Sequence, residues 1–244
     1  MAVTGHYMAW QVRTSAVHNT SAFVECILRD LLPAFGDIEK KSEAAADAGF
    51  KRLGSRPAGE DCDGDMSSLA ETATEKGIAF YETMMAIRQA TLNLYAVGLF
   101  HLLEQCLAHL CCDRASHVSP PEDTNLKDVT KWIRKNFNFN FGASAYWKLI
   151  DELRLVAHTV KHAEGGSARQ LRQRRPELFE HPISRQLWPK GGCCRVASPI
   201  HLPLAGADLY ITEEQFREYG QAVICLMQEI CEYFEAHKDV SYLT

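Results

Sequence analysis

The stretch YWKLIDELRLVAHTVKHAEGG, Tyr146 to Gly166, decides how the rest of the chain is read. At about 100° of turn per residue, Tyr146, Leu149, Ile150, Leu153, Val156, Ala157 and Val160 fall on one side of a helix and make a core face. Asp151, Arg154, His158 and His162 fall roughly 100° to 180° away, in one strip where all four can face a common space. Trp147 and Leu155 lie in or beside that strip, and large apolar groups of this kind are not left wet without cause. The strip is therefore expected to be covered, whether by another helix of the chain, by a second copy or by a ligand.

Working outward toward the N-terminus, the longest helical pattern runs from Ser67 to Cys112. Its apolar positions Ile78, Tyr81, Met85, Leu92, Ala96, Leu99, Leu103, Cys106 and Leu110 recur at spacings of three, four or seven. This predicts a long central helix, with Ser67 or Ser68 and Glu71 supplying a capping-box start. Ahead of it, Ser21 to Leu32 predicts a first helix stopped by Pro33, and Phe35 to Leu53 a second. Residues 54–65, GSRPAGEDCDGD, read as a surface loop or linker. Residues 1 to about 17 show no clear period and are expected to form a mobile arm.

After the central helix, SHVSPPEDTN (residues 116–125) ends the element, and Thr124 or Asn125 caps a shorter helix through Lys135. NFNFNFG, residues 136–142, alternates as a short strand does. Past Tyr146–Gly166, the two glycines read as a helix C-terminal signal, and Ser167 is expected to cap the basic turn SARQLRQRR before Pro176. Residues 180–208 hold repeated Pro and Gly and read as an irregular loop, with a short strand near Leu209–Ile211. Thr212 and Gln215 form a capping box for a last amphipathic helix, Phe216 to His237. The whole is an all-α helical bundle in one domain spanning 1–244, with a long central helix and an irregular C-terminal loop.

Of the 244 residues 46% are hydrophobic, enough for a substantial core, and the net charge of -5 argues against a uniformly basic nucleic-acid binder. Charge is uneven: Lys161 to Arg195 is locally cationic, whereas Glu60, Asp61, Asp63 and Asp65 cluster. The start, MAVTGHYMAWQVRTSAV, lacks a basic residue followed by an apolar block, so no secretory signal and a cytosolic location are expected. Nine cysteines, odd in number and with two adjacent pairs (Cys111 and Cys112, Cys193 and Cys194), read as reduced thiols packed as small hydrophobes. The apolar run Ala86 to Cys112 is interrupted by Arg88, Asn93, His101, Glu104 and His109, so no membrane span is expected.

His158 and His162, four residues apart, have a spacing that can meet one metal ion, with Asp151 two turns back. The Glu that a zinc-protease motif places after its first His is absent, Thr159 standing there, and His pairs that hydrogen-bond in an interface give the same spacing. Asp61, Asp63 and Asp65 resemble the start of a calcium loop, but the glycine is Gly64 rather than residue 66, and Thr72 stands where the closing Glu belongs. The vicinal cysteines lack zinc-knuckle spacing, even with His109 and His117 near the first pair. No metal or other cofactor is expected. Phe137, Phe139 and Phe141 can stack on bases or form one buried face.

The run ELRLVAHTVKHAEGGSARQLRQRRPELF, residues 152–179, resembles the signature helix and following basic turn of the HEPN superfamily. The resemblance implies a compact all-helical protein, often a homodimer, which in many branches cleaves RNA without metal in toxin or defence settings. On that resemblance Arg154, His158 and His162, with Asp151 on the same strip, are the candidate catalytic residues, and the charge of Lys161, Arg169, Arg172, Arg174 and Arg175 beside the strip is read as RNA phosphate contact. The spacing departs from the active pattern of an Arg followed by four to six residues and a His. Three residues separate Arg154 from His158 and seven separate it from His162, and with His162 as the family His, Ala157 stands where Arg is expected. A neutral His162 would take the 2′-hydroxyl proton while Arg154 steadies charge on the phosphate, or two chains would share the work across a dimer. The competing reading is a non-catalytic helical dimerisation or interaction module, its strip sealed by a partner helix and its basic turn an ordinary solvated face pairing with the acidic loop of Glu60, Asp61, Asp63 and Asp65.

Overall fold

The structure is a computed structural model that describes residues 5–55, 66–112, 119–187, 200 and 208–237. Helices α1 (Gly5–Gln11), α2 (His18–Cys26) and α3 (Ile38–Gly54) precede the 47-residue α4 (Met66–Cys112). Then come α5 (Leu126–Phe137), α6 (Trp147–His162), α7 (Gly166–Arg174), α8 (Pro182–Leu187) and α9 (Glu213–Ala236). No strand occurs among the described residues, and the class is all-α with a long central helix.

The two halves of α4 do different work. Its second half contributes Leu92, Ala96, Leu99, Leu103 and Leu107, each almost wholly buried, to one continuous core with α6 and α9. Its first half runs beside α3, with which it forms a helical hairpin. Small residues set that contact: a Cβ on Gly77 would sit 3.0 Å from the Ala46 Cβ and 3.1 Å from the Ser42 carbonyl oxygen. The Ser42 hydroxyl donates to the Gly77 carbonyl at 3.0 Å. α4 passes the length-and-composition test for a membrane-crossing helix despite its interrupting polar residues. Its buried leucines all serve the protein core.

Several expectations are corrected. The N-terminal segment is helical and packed: Met8, Ala9, Val12 and Ala16 are buried, with a π-helical turn over Val12–Val17 between α1 and α2. Wider turns of this kind shift the apolar spacing away from the ordinary helical period, which hid it. Ser67 and Ser68 lie inside α4, which already begins at Met66. NFNFNF is no strand. α5 continues through Phe137, Asn138 caps it in the left-handed region (φ 56°), and Phe141–Ala143 makes a 3-10 turn. All three phenylalanines point inward, Phe137 edge-on to Phe234 at 5.2 Å and Phe139 to Phe141 at 4.9 Å, the buried-face alternative.

Near Leu209–Ile211 the chain forms no strand; side chains of α4 hold it instead. Asn93 donates to the Leu209 carbonyl at 2.8 Å and Gln89 to the Ile211 carbonyl at 3.0 Å, while Tyr210 N–H donates to the Leu178 carbonyl. The stretch expected to be irregular from residue 180 opens with α8; residues 188–199 and 201–207 lie outside the described residues, as do 56–65 with the acidic cluster. Cys193, Cys194 and His117 are outside them too. Asn125 and Thr212 cap their helices as expected, Thr212 with Gln215 in a full capping box.

Candidate functional site

α6 is positioned from both ends. The Ser144 hydroxyl accepts from Tyr146 N–H at its start, and Ala163, at φ 58°, turns the chain at its end. That turn falls two residues before the expected glycines: Gly165 instead precedes α7 in an extended conformation, and Ser167 makes no cap. The inward face carries Ile150, Leu153, Val156, Ala157 and Val160 as expected, but also Leu155, Thr159 and Glu152. Leu155 is covered within the chain, and Trp147 packs on Phe141 at 5.4 Å.

The strip divides in two. In its first half Asp151 accepts from Arg154 at 2.9 and 2.8 Å and from Arg174 of α7 at 2.6 Å. Burial would raise the Asp151 carboxyl, but hydrogen bonds from Arg174 and Arg154 outweigh it and hold it below the usual carboxylate range. In its second half the His158 and His162 rings stack 5.8 Å apart, and His158 lies 5.9 Å from the Phe100 ring of α4. Burial, then Arg154, His162 and Lys161, push His158 below its ordinary value, with only Glu104 opposing. The neutral imidazole is therefore the favoured form.

His158 and Lys161 open into a cleft of about 350 Å³ between α4, α6 and the N-cap of α5, walled also by Phe100, Glu104, Gln105 and Asn125. Glu104 reaches across it: Oε1 accepts from Leu126 N–H at 3.2 Å, and Oε2 meets His101 Nδ1 at 3.4 Å. Sequence reading missed Phe100, Glu104 and Gln105, which lie some fifty residues before His158 and carry no local signal.

The basic turn is largely paired within the chain. Arg172 makes a two-point contact with Glu164 at 2.9 and 2.8 Å and lies 4.4 Å over the Phe179 ring. Arg175 bonds both Glu152 and Glu177, and the Tyr219 hydroxyl donates to Glu152 at 2.7 Å, tying α6, α7 and α9 through one buried carboxylate. Burial, with Glu152 beside it, pushes the Tyr219 hydroxyl strongly upward, so it stays a donor. Arg169 and Lys161 are exposed, with no ion pair among the described residues. Nor do three His, Cys, Asp or Glu side chains gather there as a metal site.

No protein-family model, curated protein or solved structure matches this chain.

Proposed function

We propose that the chain is a HEPN-like RNA-associated protein acting as a metal-independent endoribonuclease, with its working groups in the second half of the α6 strip. The observation that carries this reading is His158: half-buried, beside the Phe100 ring, and next to Lys161 in a cleft open to solvent, where burial favours its neutral form. Neutral His158 takes the proton of a 2′-hydroxyl, whose oxygen attacks the adjacent phosphorus; a 2′,3′-cyclic phosphate forms and the 5′-oxygen leaves. His162 supplies the proton that the leaving oxygen needs. Lys161 steadies charge on the phosphate, since Arg154 is held by Asp151, and Arg169 contacts phosphate beyond the cleft. A homodimer belongs to the same reading; Ile87 and Leu94, seven residues apart on α4 and 45% and 44% exposed, are among the exposed apolar residues it could use, alongside Trp10, Met66, Ile78 and Ile183.

The test is RNA cleavage in EDTA by wild type, His158→Ala, His162→Ala and Arg154→Ala. Both histidine variants are expected to lose about 10²- to 10⁴-fold in rate, with cyclic phosphate ends on the wild-type products. Wild type inert at high concentration would favour the second reading, a non-catalytic dimerisation or interaction module. Internal pairing of Arg154, Arg172, Arg174 and Arg175 favours that alternative, because guanidinium groups held by carboxylates are less available to phosphate.

A further inference from the structure

We infer that the cleft between α4 and α6 takes a single unstacked RNA base, with Gln105 reading its edge; this rests on the RNA reading above. The volume, about 350 Å³, lies at the small end of ligand sites, suited to one nucleoside rather than a folded RNA surface. Charge decides which part of a nucleotide enters. At the N-terminus of α5 two of the amides that could meet an anion are already engaged: Leu126 N–H donates to Glu104, and Asp128 N–H donates to Asn125. With the Glu104 carboxylate in its wall, the interior disfavours phosphate and favours a neutral heterocycle. The cationic edge is on α6, at Lys161, with Arg154 and His162 close enough to depress His158.

A nucleotide therefore lies with its phosphate at the Lys161 and His158 rim and its base inward, toward the Phe100 and His158 rings. Gln105 is exposed at the α4 wall and has no hydrogen bond to any described residue, leaving amide donor and acceptor available to a base edge. Such a pocket gives sequence preference to a contact that phosphate pairing alone would leave indifferent.

Fluorescence anisotropy of a random-sequence, non-cleavable 2′-O-methyl RNA octamer tests this, with AMP, CMP, GMP, UMP and inorganic phosphate as competitors. Wild type is expected to bind the octamer, and one nucleotide to compete at least about tenfold better than the other three and than phosphate. Gln105→Ala should reduce that preference to within about threefold while keeping the octamer bound, and Ala108→Trp, which fills the cleft, should abolish competition by nucleotides. Equal competition by all four, or a preference unchanged in Gln105→Ala, with the octamer still bound, overturns the base pocket and leaves the RNA reading standing. An octamer that does not bind overturns both.

Discussion

The two halves of α4 share one helix but are held by opposite means. The second half is gripped by large side chains of α6 and α9, with Leu99, Leu103 and Leu107 shut off from water. The first half meets α3 chiefly at small residues, Gly77 against Ala46 and Gly49 against Ala73 and the Lys76 stem, so that the backbones approach closely, and Ile38 is the large apolar residue buried on α3. Cooperative stability should therefore concentrate in the core half, and the hairpin should open locally.

The largest effect is expected from Leu103→Ala, which removes a fully buried side chain and should cost about 2–5 kcal/mol in denaturant unfolding. Protection against hydrogen exchange should fall together in α4, α6 and α9; a loss confined to α4 would break the claim of one shared core.

Glu152→Ala comes next, at about 1–3 kcal/mol, because it strands the Tyr219 hydroxyl and deprives Arg175 of a buried partner. Glu152→Gln, which keeps an acceptor, should recover part of that loss in the same thermal melts.

Gly77→Val is expected to act on the hairpin alone, since its side chain must push Ala46 and Ser42 away. Amides of α3 should then exchange faster while α6 and α9 keep their rates; a uniform loss would erase the distinction between the halves.

The smallest effect is in pH. His158 has its folded pKa lowered, so the unfolded chain binds the proton more readily, and the contribution is full above about 6.5 and lost as pH falls through the folded value. Asp151 acts in the same direction lower down: its contribution is full above about 3.9 and lost as pH falls through its depressed folded value. Stability curves of His158→Gln against wild type should differ in slope below about pH 6.5 and run parallel above it.

The longer helices of this protein were legible because they carry their own local code, whereas α1 and α8 were not. The capping box at Thr212, the Asn125 cap and the periodic leucines of α4 are spelled within a few residues and need no distant partner to be read. Where the local code is weak the reading slipped: the π-helical turn hid the packing of Met8 and Val12, and inward aromatic rings imitated the alternation of a strand.

The candidate site was legible only as a strip on one helix. Asp151, Arg154, His158 and His162 share a face by helical geometry, which three or four residues of spacing decide. Tertiary structure alone decided that this face is cut in two, Asp151 drawn to Arg174 and His158 to the cleft beside Phe100 and Glu104. It alone decided that Arg172 and Arg175 meet carboxylates of their own chain. The physical reason is range: dihedral preference and periodicity act over a turn or two, whereas ion pairing, burial and the shape of a cleft depend on residues the chain brings together from far apart.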